Sequence, residues 1–127
     1  RFAGSIVLLL TTTGRKSGNP HTVGLQYELI EGSYWVGAAD GTRADWYRNI
    51  LAQPTVNIQV GERKFQATAE VVDDPQRIAD FLAYRLKKRP IMLRLILRMG
   101  GLKGKITREK LLTYAAHIRL VVFSPLP

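Results

Sequence analysis

The chain has 127 residues, of which 46% are hydrophobic, and its formal net charge at pH 7 is +9. This length fits one domain with a core of its own, and no apolar run reaches the ~20 residues that span a bilayer. Because the chain has no cysteine and only two distant histidines, disulfides and cysteine chemistry are excluded and no metal site is expected. We expect a single domain over residues 1–127, and the first residue, Arg1, suggests that a native N-terminal segment is missing.

The predicted elements begin with strands, continue with helices and end on a last strand. Runs of apolar and β-branched residues between turn residues predict strands over 6–13, 21–30, 34–39, 55–60, 63–72 and 118–124. Helical spacing predicts helices over 45–53, 74–90, 91–99 and 107–117, with Asp74 and Thr107 as N-caps. Since strands and helices do not alternate regularly, we expect an α+β fold, an antiparallel barrel with helices packed outside.

The positive charge is concentrated in one segment. Residues 85–110 contain ten bases and one acid, whereas the rest of the chain holds nine bases and nine acids. A regional excess of this kind indicates an anionic partner, which could be a cofactor, a lipid surface or a nucleic acid.

The loop between the first two predicted strands carries two adjacent cations between two glycines. It reads GRKSGNP from Gly14 to Pro20. Side-chain charge and accessible backbone N–H groups meet in such a loop, which suits it to bind an anion. Taken alone, the same composition is also typical of an ordinary solvated turn.

Two further motifs accompany this loop, DWYRNI at 45–50 and PTVNIQVG at 54–61. With them the chain resembles the deazaflavin-dependent nitroreductase family over residues 6–72 and again in the closing strand, 120–125. The resemblance implies a split β-barrel fold. It also implies an oxidoreductase that passes hydride from the reduced deazaflavin coenzyme F420 to a quinone, a nitroaromatic or an activated C=C bond. The absence of a catalytic triad or carboxylate pair from the sequence agrees with chemistry carried by a coenzyme.

The resemblance also implies which residues bind the coenzyme. In that family the glycine-bounded loop contacts the phosphate and the acidic tail, and the following strands and helix contact the remainder. The matching residues here are Arg15, Lys16, Ser17, Gly18, His21, Val23, Gly24, Leu25, Ala38, Ala39, Arg43, Trp46 and Asn49.

Several of these positions depart from the family pattern or have an ordinary structural reading. His21 stands where the family commonly has arginine, and Arg43 is the nearest replacement for a lysine that relatives often carry after the third strand. Trp46 fits core packing equally well. Asn49 lies on the same helix face without an evident packing role, so we expect it to bond a ligand. Tyr27 or Tyr34 is a candidate proton donor, with solvent as the alternative.

The basic segment 86–105, LKKRPIMLRLILRMGGLKGK, lies outside the strong resemblance. Its apolar helix has Arg94 and Arg98 on one edge, and three interpretations stay open: a helix packed on the barrel or in a homodimer, a lid over a lipophilic pocket, or peripheral membrane contact through 90–102. Nucleic acid is not expected, because the segment lacks aromatic residues for stacking. The expected location is cytoplasmic, with the inner membrane face as an alternative.

Two alternatives to an F420-dependent reductase are also compatible with the sequence. A split barrel can also hold flavin mononucleotide (FMN), whose shorter phosphate end needs no long cationic track. A non-catalytic carrier of a lipophilic anion, such as a fatty acid or haem, would use the basic apolar helix as a gate.

Overall fold

The computed structural model describes residues 7–38 and 43–127. Strands and helices in this part of the chain are bounded as follows: β1 (Val7–Thr13), β2 (Pro20–Gln26), β3 (Glu28–Ile30), β4 (Ser33–Ala38), α1 (Asp45–Ala52), β5 (Thr55–Val60), β6 (Arg63–Val72), α2 (Pro75–Lys88), α3 (Pro90–Met99), α4 (Arg108–Ala115) and β7 (Arg119–Pro125).

The strands form one sheet in the order β2-β1-β5-β6-β7-β4-β3. The pairs β1–β2, β1–β5, β3–β4 and β5–β6 are antiparallel. Residues of β2 also contact β4, although four strands lie between them in the sheet order, so the sheet curls as part of a barrel. The predicted α+β class and mainly antiparallel sheet are confirmed.

One predicted strand, 21–30, is divided in the structure. The chain leaves the sheet after Gln26 and returns at Glu28 as β3, on the opposite edge. Tyr27 between them is buried in the core, which explains why the sequence pattern continues through the break. The predicted strands 55–60 and 63–72 are confirmed, whereas Ile6, Ala39 and the predicted break at 40–42 lie outside the described residues.

The chain divides into two compact units, residues 1–71 with 120–127, and residues 72–119. The core of the first unit is built by the inward side chains of the strands and by α1, among them Leu8, Leu10, Val36, Ile50, Ile58 and Phe123. In the second unit, α2 packs against α3 and α4. The single domain over 1–127 stays a prediction.

Both predicted N-caps of the second unit are confirmed. The carboxylate of Asp74 accepts a hydrogen bond from the Gln76 N–H over 3.0 Å, and the Thr107 hydroxyl accepts one from the Lys110 N–H over 3.2 Å. Each cap satisfies a backbone donor that the first helical turn leaves without a partner.

In the first unit, a buried amide joins α1 to β1. Thr12 follows Leu8 and Leu10 on the inward face of β1, so its hydroxyl is buried. The Asn49 Nδ2 donates to Thr12 Oγ1 over 3.0 Å, and both residues are 2% exposed. The Asn49 Oδ1 accepts from the backbone N–H of Arg15 over 3.2 Å and from its Nη1 over 2.9 Å. The expectation that Asn49 has no packing role is therefore wrong, because its amide ties helix, strand and loop together.

We expect Asn49→Ala to lower the free energy of unfolding by about 1–3 kcal/mol, because it leaves the buried Thr12 hydroxyl and the Arg15 N–H without their partner. Urea denaturation of the variant measures this change. The matched control is Asn57→Ala on the exposed side of β5, which should alter stability by less than about 0.5 kcal/mol. Equal losses in the two variants would contradict the structural role of Asn49.

Candidate functional site

The loop between β1 and β2 is held by its own backbone. The Gly14 N–H donates to the Asn19 carbonyl and the Gly18 N–H donates to the Gly14 carbonyl, each over 2.8 Å. Gly18 has a φ of 77°, a left-handed conformation that favours glycine. The Asn19 N–H also donates to Ser17 Oγ over 3.1 Å. A fixed backbone of this kind presents its side chains from defined positions.

Gly14 is needed because two side chains pack over its α-carbon. A Cβ at this position would lie 2.8 Å from Nε2 and 2.9 Å from Cδ2 of His21, and 2.8 Å from Ser17 Oγ. Any other residue at position 14 would therefore displace the imidazole, the hydroxyl or the loop. The glycine brings His21, from the start of β2, into the loop beside Ser17.

The loop and the start of α1 enclose a cavity of about 220 Å³. Its lining combines a guanidinium, an ammonium, a hydroxyl and an imidazole with one carboxylate and one amide: Gly14, Arg15, Lys16, Ser17, His21, Asp45 and Asn49. Small-molecule pockets usually have ~300–1,000 Å³. A cavity below that range with several donors suits one anionic group of a larger ligand, such as a phosphate or a carboxylate.

The Arg15 guanidinium is oriented by two residues of α1. Besides the bond from Nη1 to Asn49, its Nη2 lies 3.3 Å from the Asp45 carboxylate. The Asp45 side chain is 85% exposed, and an ion pair of this exposure contributes about 0–1 kcal/mol. Asn49 is therefore the firmer support of the guanidinium.

The structure brings together five of the predicted binding residues: Arg15, Lys16, Ser17, His21 and Asn49 all line the cavity. Gly18 belongs to the same loop. Arg43 is exposed and does not line the cavity, and Ala39 lies outside the described residues.

The predicted ring-binding residues are located elsewhere in the first unit. Ala38 is part of its core, and Val23, Leu25 and Trp46 pack against that core. Gly24 points to the opposite face of β2, where a Cβ would meet the side chains of Val7 and Leu9 at 3.8 and 3.9 Å. Because side chains alternate along a strand, residues 23–25 do not form a single surface.

The two candidate proton donors are core residues. The rings of Tyr27 and Tyr34 lie 5.2 Å apart between centroids, both are buried, and neither lines the cavity. The structure does not bring either phenol to the anion site, and a role in proton transfer stays a prediction.

Three residues of the site were missing from the sequence-based set: Thr12, Gly14 and Asp45. Strand alternation after Leu8 and Leu10 is the signal that could have placed Thr12 inside. In the described part of the chain, no three His, Asp or Glu side chains group as metal ligands.

A model of the F420H(2)-dependent quinone reductase family matches residues 1–92. An F420H(2)-dependent quinone reductase of Mycobacterium tuberculosis is 40% identical over 68 residues, which are 51% of this chain and 46% of that protein. The chain thus spans about half the length of the curated relatives it matches.

Solved structures share the fold. A structure described as an F420-H2 dependent reductase (FDR-A) superposes with a TM-score of 0.60 at 23% identity, covering 93% of this chain and 94% of that one. Another, described as a domain-swapped dimer, has a TM-score of 0.63 at 22% identity, and the match covers 94% of this chain and 81% of that one. The family match includes the whole loop and α1, and it extends over more than half of the chain. The chain belongs to the F420H(2)-dependent quinone reductase family.

Proposed function

We propose that this chain is a reductase that uses reduced coenzyme F420 to transfer hydride to a quinone. The observation that carries the proposal is the cavity in which Asn49 holds the Arg15 guanidinium beside Lys16, Ser17 and His21. This cavity lies within the segment that the family model matches. Quinones are preferred over nitroaromatics and activated C=C bonds because the M. tuberculosis relative is named a quinone reductase.

The residues present fit the anionic tail of such a coenzyme. Arg15 offers a planar guanidinium and Lys16 a mobile ammonium, a combination that holds a flexible polyanion in more than one geometry. The Ser17 hydroxyl and the His21 imidazole add neutral donors beside them. When bound, the coenzyme would supply the hydride, while the protein orients it from the tail end.

For the deazaflavin ring we propose the margin of the first unit's core. Trp46 follows Asp45 directly, and it packs with Val23 and Leu25 against the core without being fully buried. Apolar side chains at such a margin provide a flat surface for a ring. The other residues that the resemblance implies, Gly24, Ala38, Ala39 and Arg43, stay proposals without a place on this surface.

Partners and location beyond this are also proposals. We propose a cytoplasmic protein, with a homodimer as a further assembly. The structural neighbour described as a domain-swapped dimer supports the homodimer. Nucleic acid is not proposed as a partner.

A direct test is a titration of the protein with F420, FMN and haem, followed by absorbance and fluorescence, and an assay of F420H2 oxidation with a soluble quinone. The proposal requires F420 to bind more tightly than FMN and quinone-dependent oxidation to occur. Binding of FMN without F420 would support the flavoprotein alternative, and haem binding without turnover would support the carrier.

Replacing both loop cations, as Arg15→Ala/Lys16→Ala, should weaken F420 binding by about 2–4 kcal/mol, because two charge-assisted contacts are lost. The wild-type affinity should also fall with added salt. Lys64→Ala on the exposed side of β6 removes a charge from the same unit and serves as the control. Unchanged F420 affinity in the double variant would contradict a tail site in this loop.

Asp45→Asn should tighten F420 binding, by up to about 1 kcal/mol. The substitution removes a negative charge from the cavity wall, whereas Asn49 continues to hold Arg15. Isothermal titration measures the change. Weaker binding would instead mean that Asp45 is the residue that keeps the guanidinium in place.

Gly14→Ala should lower the affinity for F420 several-fold, because the new methyl group would push His21 or Ser17 out of position. The matched control is Gly37→Ala on β4, where nothing lies within 4 Å of the added Cβ. Both variants add one methyl group to a glycine, Gly14 in the loop between β1 and β2 and Gly37 on β4. If both bind F420 like the wild type, the packing over Gly14 does not matter for the site.

A further inference from the structure

The outer edge of α3 carries an exposed apolar stripe. Ile91, Leu95 and Met99 are 85%, 59% and 80% exposed, and their spacing of four residues places them along one edge of the helix. On the other side, Leu93 and Leu97 are buried. The helix thus uses one apolar side for packing within the second unit and presents another to the surroundings.

Cations border this stripe. Arg94 and Arg98 are exposed next to it, three and seven residues after Ile91. Exposed lysines precede and follow the helix: Lys87, Lys88, Lys103 and Lys105. From residue 81 to residue 108 the chain has nine bases and no acid. Arginine can lay its aliphatic stem on apolar surface while its charge stays at a polar boundary.

A groove of about 360 Å³ runs between α3 and the segment that follows it. The Leu102 N–H donates to the Leu97 carbonyl over 2.9 Å, which turns the chain back beside the helix. The groove combines apolar walls with two guanidinium groups: Ile91, Arg94, Leu95, Arg98, Leu102, Gly104 and Ile106. Apolar side chains and guanidinium groups in one groove match the acyl chains and the phosphate of a lipid.

We propose that this face, formed by α3 and residues 102–106, docks on an anionic phospholipid bilayer. Each basic residue near such a surface contributes about 1 kcal/mol, and the apolar stripe enters the headgroup boundary. The attachment is peripheral. Among the described helices, none is long and apolar enough to cross a membrane.

A second copy of the chain fits this face less well than lipid does. Two copies meeting through the stripe would bring Arg94 and Arg98 of each close to those of the other, and no acid between residues 81 and 108 could compensate them. The family match ends at residue 92, so nearly all of this face lies outside the segment shared with the reductase family. The inference goes beyond the proposed reductase activity and does not depend on coenzyme binding.

The absence of cysteine allows a sharp test of insertion. Leu95→Cys, labelled with the solvent-sensitive fluorophore NBD, should shift to the blue and brighten with vesicles of equal parts phosphatidylcholine and phosphatidylglycerol. Vesicles of phosphatidylcholine alone should have little effect. The matched control is labelled Leu51→Cys, which replaces a residue with the same exposure of 59% on α1, in the first unit, and should not shift.

The charge contribution is tested by co-sedimentation with the same vesicles. Arg94→Glu and Arg98→Glu should each lower the partition coefficient roughly tenfold, and high salt should release the wild-type protein. Lys64→Glu makes the same change of charge in the first unit, and it should alter partitioning less than about twofold. All three side chains are exposed, so the fold is expected to persist.

Three results would overturn the proposal. The first is that the wild-type protein does not sediment with anionic vesicles. The second is that the Leu95→Cys label shifts no more than the Leu51→Cys label, and the third is that Lys64→Glu weakens binding as much as Arg94→Glu. A label at position 95 that shifts with protein concentration in the absence of lipid, insensitive to salt, would assign the face to a second copy.

Discussion

The candidate anion site of the first unit depends on the hydrogen bonds of one buried amide. Asn49 is almost fully enclosed, and an amide in that position is costly unless its polar atoms find partners. It finds them in Thr12, at the end of β1, and in Arg15, in the loop that follows. The same bonds that satisfy the amide join α1 to β1 and hold the Arg15 guanidinium at the cavity, so the stability of the unit and the geometry of the candidate site share one residue.

The supports of Arg15 differ in charge as well as in burial. Asn49 is neutral and enclosed, so it does not repel an anion, and its amide is shielded from solvent. Asp45 is charged and exposed, so it holds the guanidinium weakly and competes with a ligand of the same sign. In the absence of a ligand, the carboxylate gives the guanidinium a partner. A site built in this way keeps its cation oriented without binding it too firmly to accept a phosphate or a carboxylate.

Features set by neighbouring residues could be predicted from the sequence, whereas long-range contacts could not. The strands 55–60 and 63–72 follow from alternation around a Gly61 turn, and the caps Asp74 and Thr107 act within their own first turns. Arg15, Lys16 and Ser17 are selected by the resemblance of the loop together with two further motifs, because the loop composition alone is also typical of an ordinary turn. The hydrogen bond from Asn49 to Thr12 joins residues 37 positions apart in the sequence, so no local sequence pattern predicts it. Likewise, the break at Tyr27 depends on which strands pair.

The charge of the chain is larger than its anion site requires. The cavity uses two loop cations, and one of them already faces a carboxylate, whereas the excess of positive charge lies in residues 85–110. A coenzyme tail held at Arg15 and Lys16 therefore does not account for the exposed cations of α3, Arg94 and Arg98. Exposed cations repel one another, and an exposed apolar patch favours association, so each of these features favours an external partner. On α3 both occur together, the arginines beside the stripe of Ile91, Leu95 and Met99. An anionic bilayer would bind both features, because its phosphates offset the charge of the arginines and its headgroup boundary accommodates the apolar stripe.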